Sequence, residues 1–281
     1  MKKKISKFLR YGILVTVGIL LIYPLLFMIT GTVKSNQEIF TSLSLWPQDP
    51  TTNFFDVLKE AWDTGSQYTM TTYFKNSFIM VGGQIIGTVI SSVPTAYAIA
   101  RFDFKGKKLV FSLVIATLII PISLFTIPLF ILWSNLGFTD SFVPLIVPSF
   151  FATNSFLIFM LIQFFRTIPK TLDEAAILDG CNSFTTLTKV LVPIIKPTVV
   201  TMILLTFVWG MADFQGPLIY ISTASKFPVT LALKLIIDAD SSVQYNLVFA
   251  MSLISLLPSI IVFFMAQKYF VEGIASGSIK G

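Results

Sequence analysis

The sequence predicts an all-α membrane protein that crosses the bilayer six times, and three observations lead there. Of 281 residues, 54% are hydrophobic and only 12% charged, about half the charged fraction of a soluble domain. The apolar residues gather into six runs near the ~20 residues that a helix needs to span the hydrocarbon core. The 20 lysines and arginines lie mostly in short clusters at the ends of those runs, as the positive-inside rule predicts.

The same numbers exclude several functions. The net charge of +6 is not a basic stripe on a soluble face, so nucleic acid is not expected as a partner. There is no histidine, and Cys181 is the single cysteine. A disulfide within the chain is therefore impossible, and neither a metal site nor a catalytic residue is expected.

The N-terminal MKKKISKFLR leads into a first span at residues 11–30. No small-residue cleavage site follows, which favours an uncleaved span over a signal peptide. From Gly31 to Lys75 the chain is polar. Within it Phe54, Val57, Leu58, Ala61 and Trp62 recur at helical spacing, opposite Asp56, Lys59, Glu60 and Asp63. That pattern fits a helix on the membrane surface or one packed on its own subunit.

Further spans are expected at 77–100, 109–133, 142–164, 198–221 and 247–266. Pro94, Pro121, Pro128, Pro148 and Pro258 fall within them, as spanning helices tolerate when neighbours re-satisfy the freed backbone. No linker marks a boundary, so residues 1–281 are expected to form one domain. With the N-terminus inside, fifteen of the 20 basic residues fall on inner segments, which places both termini and the stretch at about 166–197 in the cytoplasm.

That stretch reads as two short helices around a corner. Thr171 and Glu174 form a capping-box pattern that starts the first. Gly180 stands where a chain leaving a helix turns left-handed. Asn182 or Ser183 can cap the second, and Pro193 is expected to break or bend it.

Glu174, Ala175, Ala176, Asp179 and Gly180, followed by Val190, Pro193 and Pro197, resemble the EAA loop of ABC importer permeases, in the version of the sugar-uptake subunits. Cys181 and Val192 stand where alanine and leucine are usual. The ending Gly273-Ile-Ala-Ser-Gly-Ser-Ile-Lys-Gly281 resembles the tail of the permeases similar to MalG of maltose-type importers. Trp209 to Pro217, WGMADFQGP, resembles the W-N-x-F-x-x-P of the fifth span, with Gly210 in place of asparagine and looser spacing.

The resemblance implies a type I importer permease, a bundle of six spans with cytoplasmic termini in a cell membrane, which the lysine-rich composition makes bacterial. It implies a heterodimer with a second permease, two ATP-binding subunits and an extracytoplasmic sugar-binding protein. No phosphate-binding loop occurs in this chain, so ATP and Mg are expected on the separate ATPase and no cofactor here. Glu174, Ala175, Ala176, Asp179, Gly180 and Pro193 would form the coupling site. Gly277, Lys280 and Gly281 would reach the ATPase from the tail.

Trp209, Asp213, Gln215 and Tyr220 are candidate pathway residues. A carboxylate in mid-bilayer costs about 2.5–3.5 kcal/mol, so Asp213 is expected to face the bundle interior, water or a neighbouring subunit. Gln84 and Asn154 either line the pathway or join helices. The outer loop 222–245, with Asp238, Asp240, Ser241 and Ser242, is either a contact for the binding protein or an ordinary solvated loop. The competing functions are an ABC permease for a non-sugar solute and an ion-coupled carrier. The scarcity of ionisable groups within the spans weighs against the carrier.

Overall fold

The computed structural model describes residues 2–48, 50, 52–63, 67–238 and 243–278. Every regular element among them is helical. In chain order these are α1 (Lys2–Gly31), α2 (Asn36–Thr41), α3 (Phe54–Asp63), α4 (Met70–Arg101), α5 (Lys107–Ile119) and α6 (Thr126–Asn135). Next come α7 (Val143–Ile146), α8 (Ser155–Thr167), α9 (Thr171–Leu178), α10 (Ser183–Thr185) and α11 (Val192–Ile194). The last are α12 (Lys196–Ala212), α13 (Gln215–Tyr220), α14 (Val229–Asp238) and α15 (Tyr245–Ser278).

Among the described residues, four stretches are long and apolar enough to cross a membrane: Leu9–Gly31, Met70–Arg101, Val143–Thr167 and Tyr245–Lys268. They match four of the expected spans. The other two expected spans are not straight helices. At residues 109–133 the chain bends by 96° between Lys107–Ile119 and Ile122–Asn135. Pro121 is extended there, and so is Ile120 before it, as the residue preceding a proline must be. The second bent pair, Ser183–Ile194 and Lys196–Ala212, turns by 82°. The region expected as span 198–221 is itself broken after Ala212, where Asp213 is extended before α13 begins.

The chain divides into two compact units, Met1–Thr72 with Ala232–Leu257, and Tyr73–Leu231 with Pro258–Gly281. In the first, the ring of Phe249 lies against Gly31, where a Cβ would clash. Lys34 is fully buried, 3.7 Å from Glu38 and over the Phe27 ring. Asn36 holds the start of α15 by donating to the Val243 carbonyl at 2.6 Å and accepting from Tyr245 N–H at 2.9 Å. Val57 and Ala61 of α3 are buried, so this amphipathic helix packs on its own chain.

The second unit has a core that joins distant segments. Val93, Ala96, Tyr97 and Ile99 of α4 pack with Leu157, Ile158, Leu161, Ile162 and Phe165 of α8, and with Leu187, Leu191, Ile195 and Met202. A second cluster joins Met80 and Val81 of α4 to Phe207 and Met211 of α12. Gly210 makes that approach possible: a Cβ there would lie 2.6 Å from Gln84 Oε1 and 2.9 Å from a Val81 methyl. Gln84 donates to the Leu145 carbonyl at 3.0 Å, and Asn154 caps α8 by accepting from Leu157 N–H at 3.1 Å. Gln84 thus ties α4 to α7, whereas Asn154 satisfies the first turn of its own helix.

Candidate functional site

The segment from Thr171 to Pro197 is a helix, a corner and a second helix. The first helix, α9, does not begin with a capping box. Its N-cap position is Lys170, without a side-chain cap, and backbone carbonyls do the work instead. Pro169 and Lys170 accept from Leu172, Asp173 and Glu174 at 3.3, 3.0 and 3.1 Å.

The end of α9 follows the expectation at Gly180. Gly180 has φ +80° and donates to Ile177 at 3.0 Å, while Cys181 donates to Ala176 at 2.9 Å. These two bonds make a Schellman corner, which satisfies carbonyls the helix would otherwise leave open. Asn182 then caps the next helix, accepting from Thr185 N–H and its hydroxyl, both at 2.9 Å.

Pro193 does not break this second helix. Its missing N–H and the pressure of its ring on the preceding turn are absorbed by a π-helical stretch, Thr186–Leu191, in which Val192 N–H reaches the Leu187 carbonyl. The bend comes at Ile195, and Pro197 lies in the first turn of α12. Leu187, Leu191 and Ile195 lie in the same core as α4 and α8. Movement of this corner is thus tied to those helices by close-packed side chains, which transmit strain.

The outward face of the corner is apolar and acidic. Ile177, Leu178 and Phe184 are 65%, 89% and 74% exposed, and Glu174, Ala175 and Asp179 are exposed beside them. Ala176 is turned inward, 5% exposed, and α9 packs on the π-helical stretch behind it. The side chain of Glu174 has no ion pair or hydrogen bond among the described residues. Contiguous apolar surface of this kind, rimmed by charge, marks a protein contact.

The candidate pathway residues have different partners. Trp209 is half exposed and lies edge-on to Phe156, with ring centroids 5.9 Å apart. Asp213 closes α12, accepts from Gly216 N–H at 3.0 Å and offers its carbonyl to the Thr230 hydroxyl at 2.7 Å. It sits at a helix break, a capping place that sequence spacing did not reveal. Gln215 is exposed, and the Tyr220 ring lies 6.1 Å from that of Phe130.

Of the tail residues, Gly277 is in α15, which runs helically to Ser278, where a flexible end is the ordinary expectation. Lys280 and Gly281 lie outside the described residues, as do Asp240, Ser241 and Ser242 of the outer loop. The described residues contain no cluster of metal-ligating side chains.

Two polar braces join residues that local sequence pattern does not connect. Arg101, the basic residue that ends α4, pairs with Asp173. Asp140, in the turn after α6, takes hydrogen bonds from Ser222, Thr223 and Lys226. An aspartate two residues after Phe138, in a turn already marked by Gly137, was the available signal, because Asp tolerates the left-handed backbone.

The family model described as "Binding-protein-dependent transport system inner membrane component" matches residues 92–275, a span that contains the whole corner and α12 to α14. The chain belongs to this family. It is therefore a multi-pass membrane component of a transport system, not a catalytic enzyme. The "Probable ABC transporter permease protein YurM" of Bacillus subtilis (strain 168) is 34% identical, over 92% of this chain and 84% of the relative. The "Arabinooligosaccharides transport system permease protein AraQ" of the same organism is 28% identical, over 94% and 92%. The fold also matches a chain from the "Crystal structure of a bacterial ABC transporter involved in the import of the acidic polysaccharide alginate". There the TM-score is 0.80 and the identity 22%, covering 96% of this chain and 98% of that one.

Proposed function

We propose that this permease is one of two transmembrane subunits of an ATP-driven carbohydrate importer, and that the α9 corner is where a separate ATPase docks. The observation that carries this reading is the exposed face of α9 and Phe184, set on a Schellman corner whose far side is welded into the core of α4 and α8. In this reading Lys107–Asn135 is one bent span and Lys196–Tyr220, broken at Asp213, is another, giving six in a single permease domain, with both termini and the corner, Ser183–Ile194 included, in the cytoplasm.

Two ATP-binding subunits hold the ATP and Mg, a second permease completes the pathway, and an extracytoplasmic protein delivers substrate. Closure of the ATPase dimer moves α9 and its corner as a lever and turns the spans from inward-open to outward-open. Glu174, free of partners within the described chain, pairs with a basic group of the ATPase. A rigid corner suits this task, because only an element with few soft torsions transmits displacement instead of absorbing it. The carbohydrate assignment rests on the Gly273–Gly281 ending and on the relative named for arabinooligosaccharides.

The test is reconstitution of the complete complex in proteoliposomes with a mixture of labelled arabinotriose, trigalacturonate and maltotriose. Uptake that requires ATP inside the vesicle and the binding protein outside is the expected result. Uptake driven by a proton or sodium gradient without ATP contradicts the reading and assigns a secondary carrier. In the same vesicles, Glu174→Lys is expected to leave the protein inserted while ATP hydrolysis continues without import.

A further inference from the structure

Arg101 is the last residue of α4, and its side chain is 6% exposed. It donates through Nη1 to the Ile168 carbonyl at 2.9 Å and sets Nη2 3.3 Å from Asp173 Oδ2. Asp173 lies in the first turn of α9 with its side chain 18% exposed. One cation thus holds both the residue before Pro169 and the opening turn of the exposed helix against the end of α4.

Stability alone is a poor account of this pair. Arg101 Nε and Nη2 and both Asp173 oxygens are buried without a well-formed hydrogen bond. A buried ion pair left short of bonds recovers little of the cost of removing its charges from water. An arginine fork meeting a carboxylate in its best geometry makes two parallel bonds at about 2.7–2.9 Å, and this one makes neither. The two charges are held instead by their attraction at 3.3 Å and by the Nη1 bond to the Ile168 carbonyl, which ties the fork to the link before α9.

The apolar core behind the corner packs Leu187, Leu191 and Ile195 on α4 and α8 but includes no residue of α9, so it does not link α9 itself to the end of α4. The neighbouring charges do not compete for the role. Lys107 is taken by Asp103 at 3.1 Å on the exposed turn, and Glu174, the other acid of the first turn of α9, is exposed.

We propose that Arg101 and Asp173 are a positioning pair that makes α4 follow α9, so that displacement of the docking helix is delivered to the second span as well as to α12. This rests on the reading of α9 as the ATPase contact. In its absence α9 still docks, but its motion is taken up in the short Ile168–Lys170 link.

The experiment uses the complete reconstituted complex, the labelled oligosaccharide mixture described above, and the variants Asp173→Asn, Arg101→Gln and their combination. Copurified ATP-binding subunits report assembly, and hydrolysis and uptake are measured in the same vesicles. Asp173→Asn is expected to assemble fully and to keep ATP hydrolysis near wild type, while importing about tenfold less per ATP. The double variant should import no less than the weaker single variant, because both remove one interaction. Unchanged import per ATP in Asp173→Asn overturns the proposal. So does a loss of uptake that follows loss of assembled complex, which is what a merely structural pair gives. A wild-type complex that assembles with no ATPase overturns the docking reading itself, a failure seen before any variant is compared.

Discussion

Two ion pairs of the second unit join residues far apart in sequence, Asp140–Lys226 and Arg101–Asp173, and they differ in how fully each is hydrogen-bonded. At Asp140 almost nothing is left open. Its carboxylate accepts from Ser222 N–H at 3.0 Å, Thr223 N–H at 2.9 Å, the Thr223 hydroxyl at 2.7 Å and Lys226 Nζ at 2.8 Å. Its backbone is used too, donating to the Tyr220 carbonyl and accepting from Lys226, each at 2.7 Å. At Arg101 and Asp173 the charges meet at 3.3 Å with several buried polar atoms unsatisfied. A saturated brace has one favourable geometry and fixes its turn. The Arg101–Asp173 pair makes fewer bonds of its own and joins the end of α4 to the first turn of α9.

The comparison predicts that damage near α9 costs transport more than stability, and that damage at Asp140 does the reverse. The largest effect is expected from Gly180→Val. A β-branched residue at φ +80° is strained by about 1–2 kcal/mol, and the Schellman corner must open. Membrane insertion should persist while ATP-driven uptake falls at least about tenfold, and full uptake by this variant breaks the comparison.

Next is Gly210→Leu, which drives a side chain into Gln84 and Val81. Overpacking of this kind costs about 1–3 kcal/mol, so the detergent-solubilised protein should melt at a lower temperature. An unchanged melting point contradicts the close approach of α4 and α12.

Asp140→Asn removes the charge that Lys226 pairs with. The Lys226 ammonium, followed by the Thr223 backbone and hydroxyl donors, holds the Asp140 carboxyl well below the usual carboxylate range. A depressed carboxylate contributes stability above its unfolded pKa of about 3.9, and loses it as pH falls through the lower folded value. The melting difference between wild type and variant should therefore be constant from about pH 5 to 8 and shrink only in stronger acid. The side chains of Asp140 and Lys226 are 27% and 46% exposed, so screening limits the loss to about 1 kcal/mol. Import per ATP should not change. A difference that grows as the pH is lowered contradicts this account of the brace.

The smallest effect is expected from Asn182→Ala, which deletes the cap on Thr185 for about 0.5–1 kcal/mol. A small fall in melting temperature with a larger fall in import per ATP sharpens the contrast between the two regions.

Much of this was legible from residues alone. Apolar runs mark the four helices long enough to cross a membrane, because burial in lipid imposes a long, simple pattern. Gly180 was legible because few residues tolerate the backbone it adopts. The start of α9 was not, since Thr171 and Glu174 fit a capping box while Pro169 and Lys170 satisfy the same donors from the backbone. Pro193 misled for a related reason: the π-helical stretch before it moves the bend to Ile195. Asp213 read as a charge inside a straight span, whereas it caps a break that no periodicity marks. Arg101 and Asp173, and likewise Asp140 and Lys226, are far apart in sequence, and local pattern says nothing about which distant charges meet.

The most direct test of the docking claim uses Cys181, the single cysteine, half-buried beside the Gly180 corner. In native membranes, a short thiol-to-amine cross-linker on Cys181 is predicted to capture an ATP-binding subunit, identified by mass spectrometry, with the yield changing when nucleotide is added. A Cys181 that reacts fully with a small maleimide yet captures no such subunit contradicts the assignment of α9 as the coupling element.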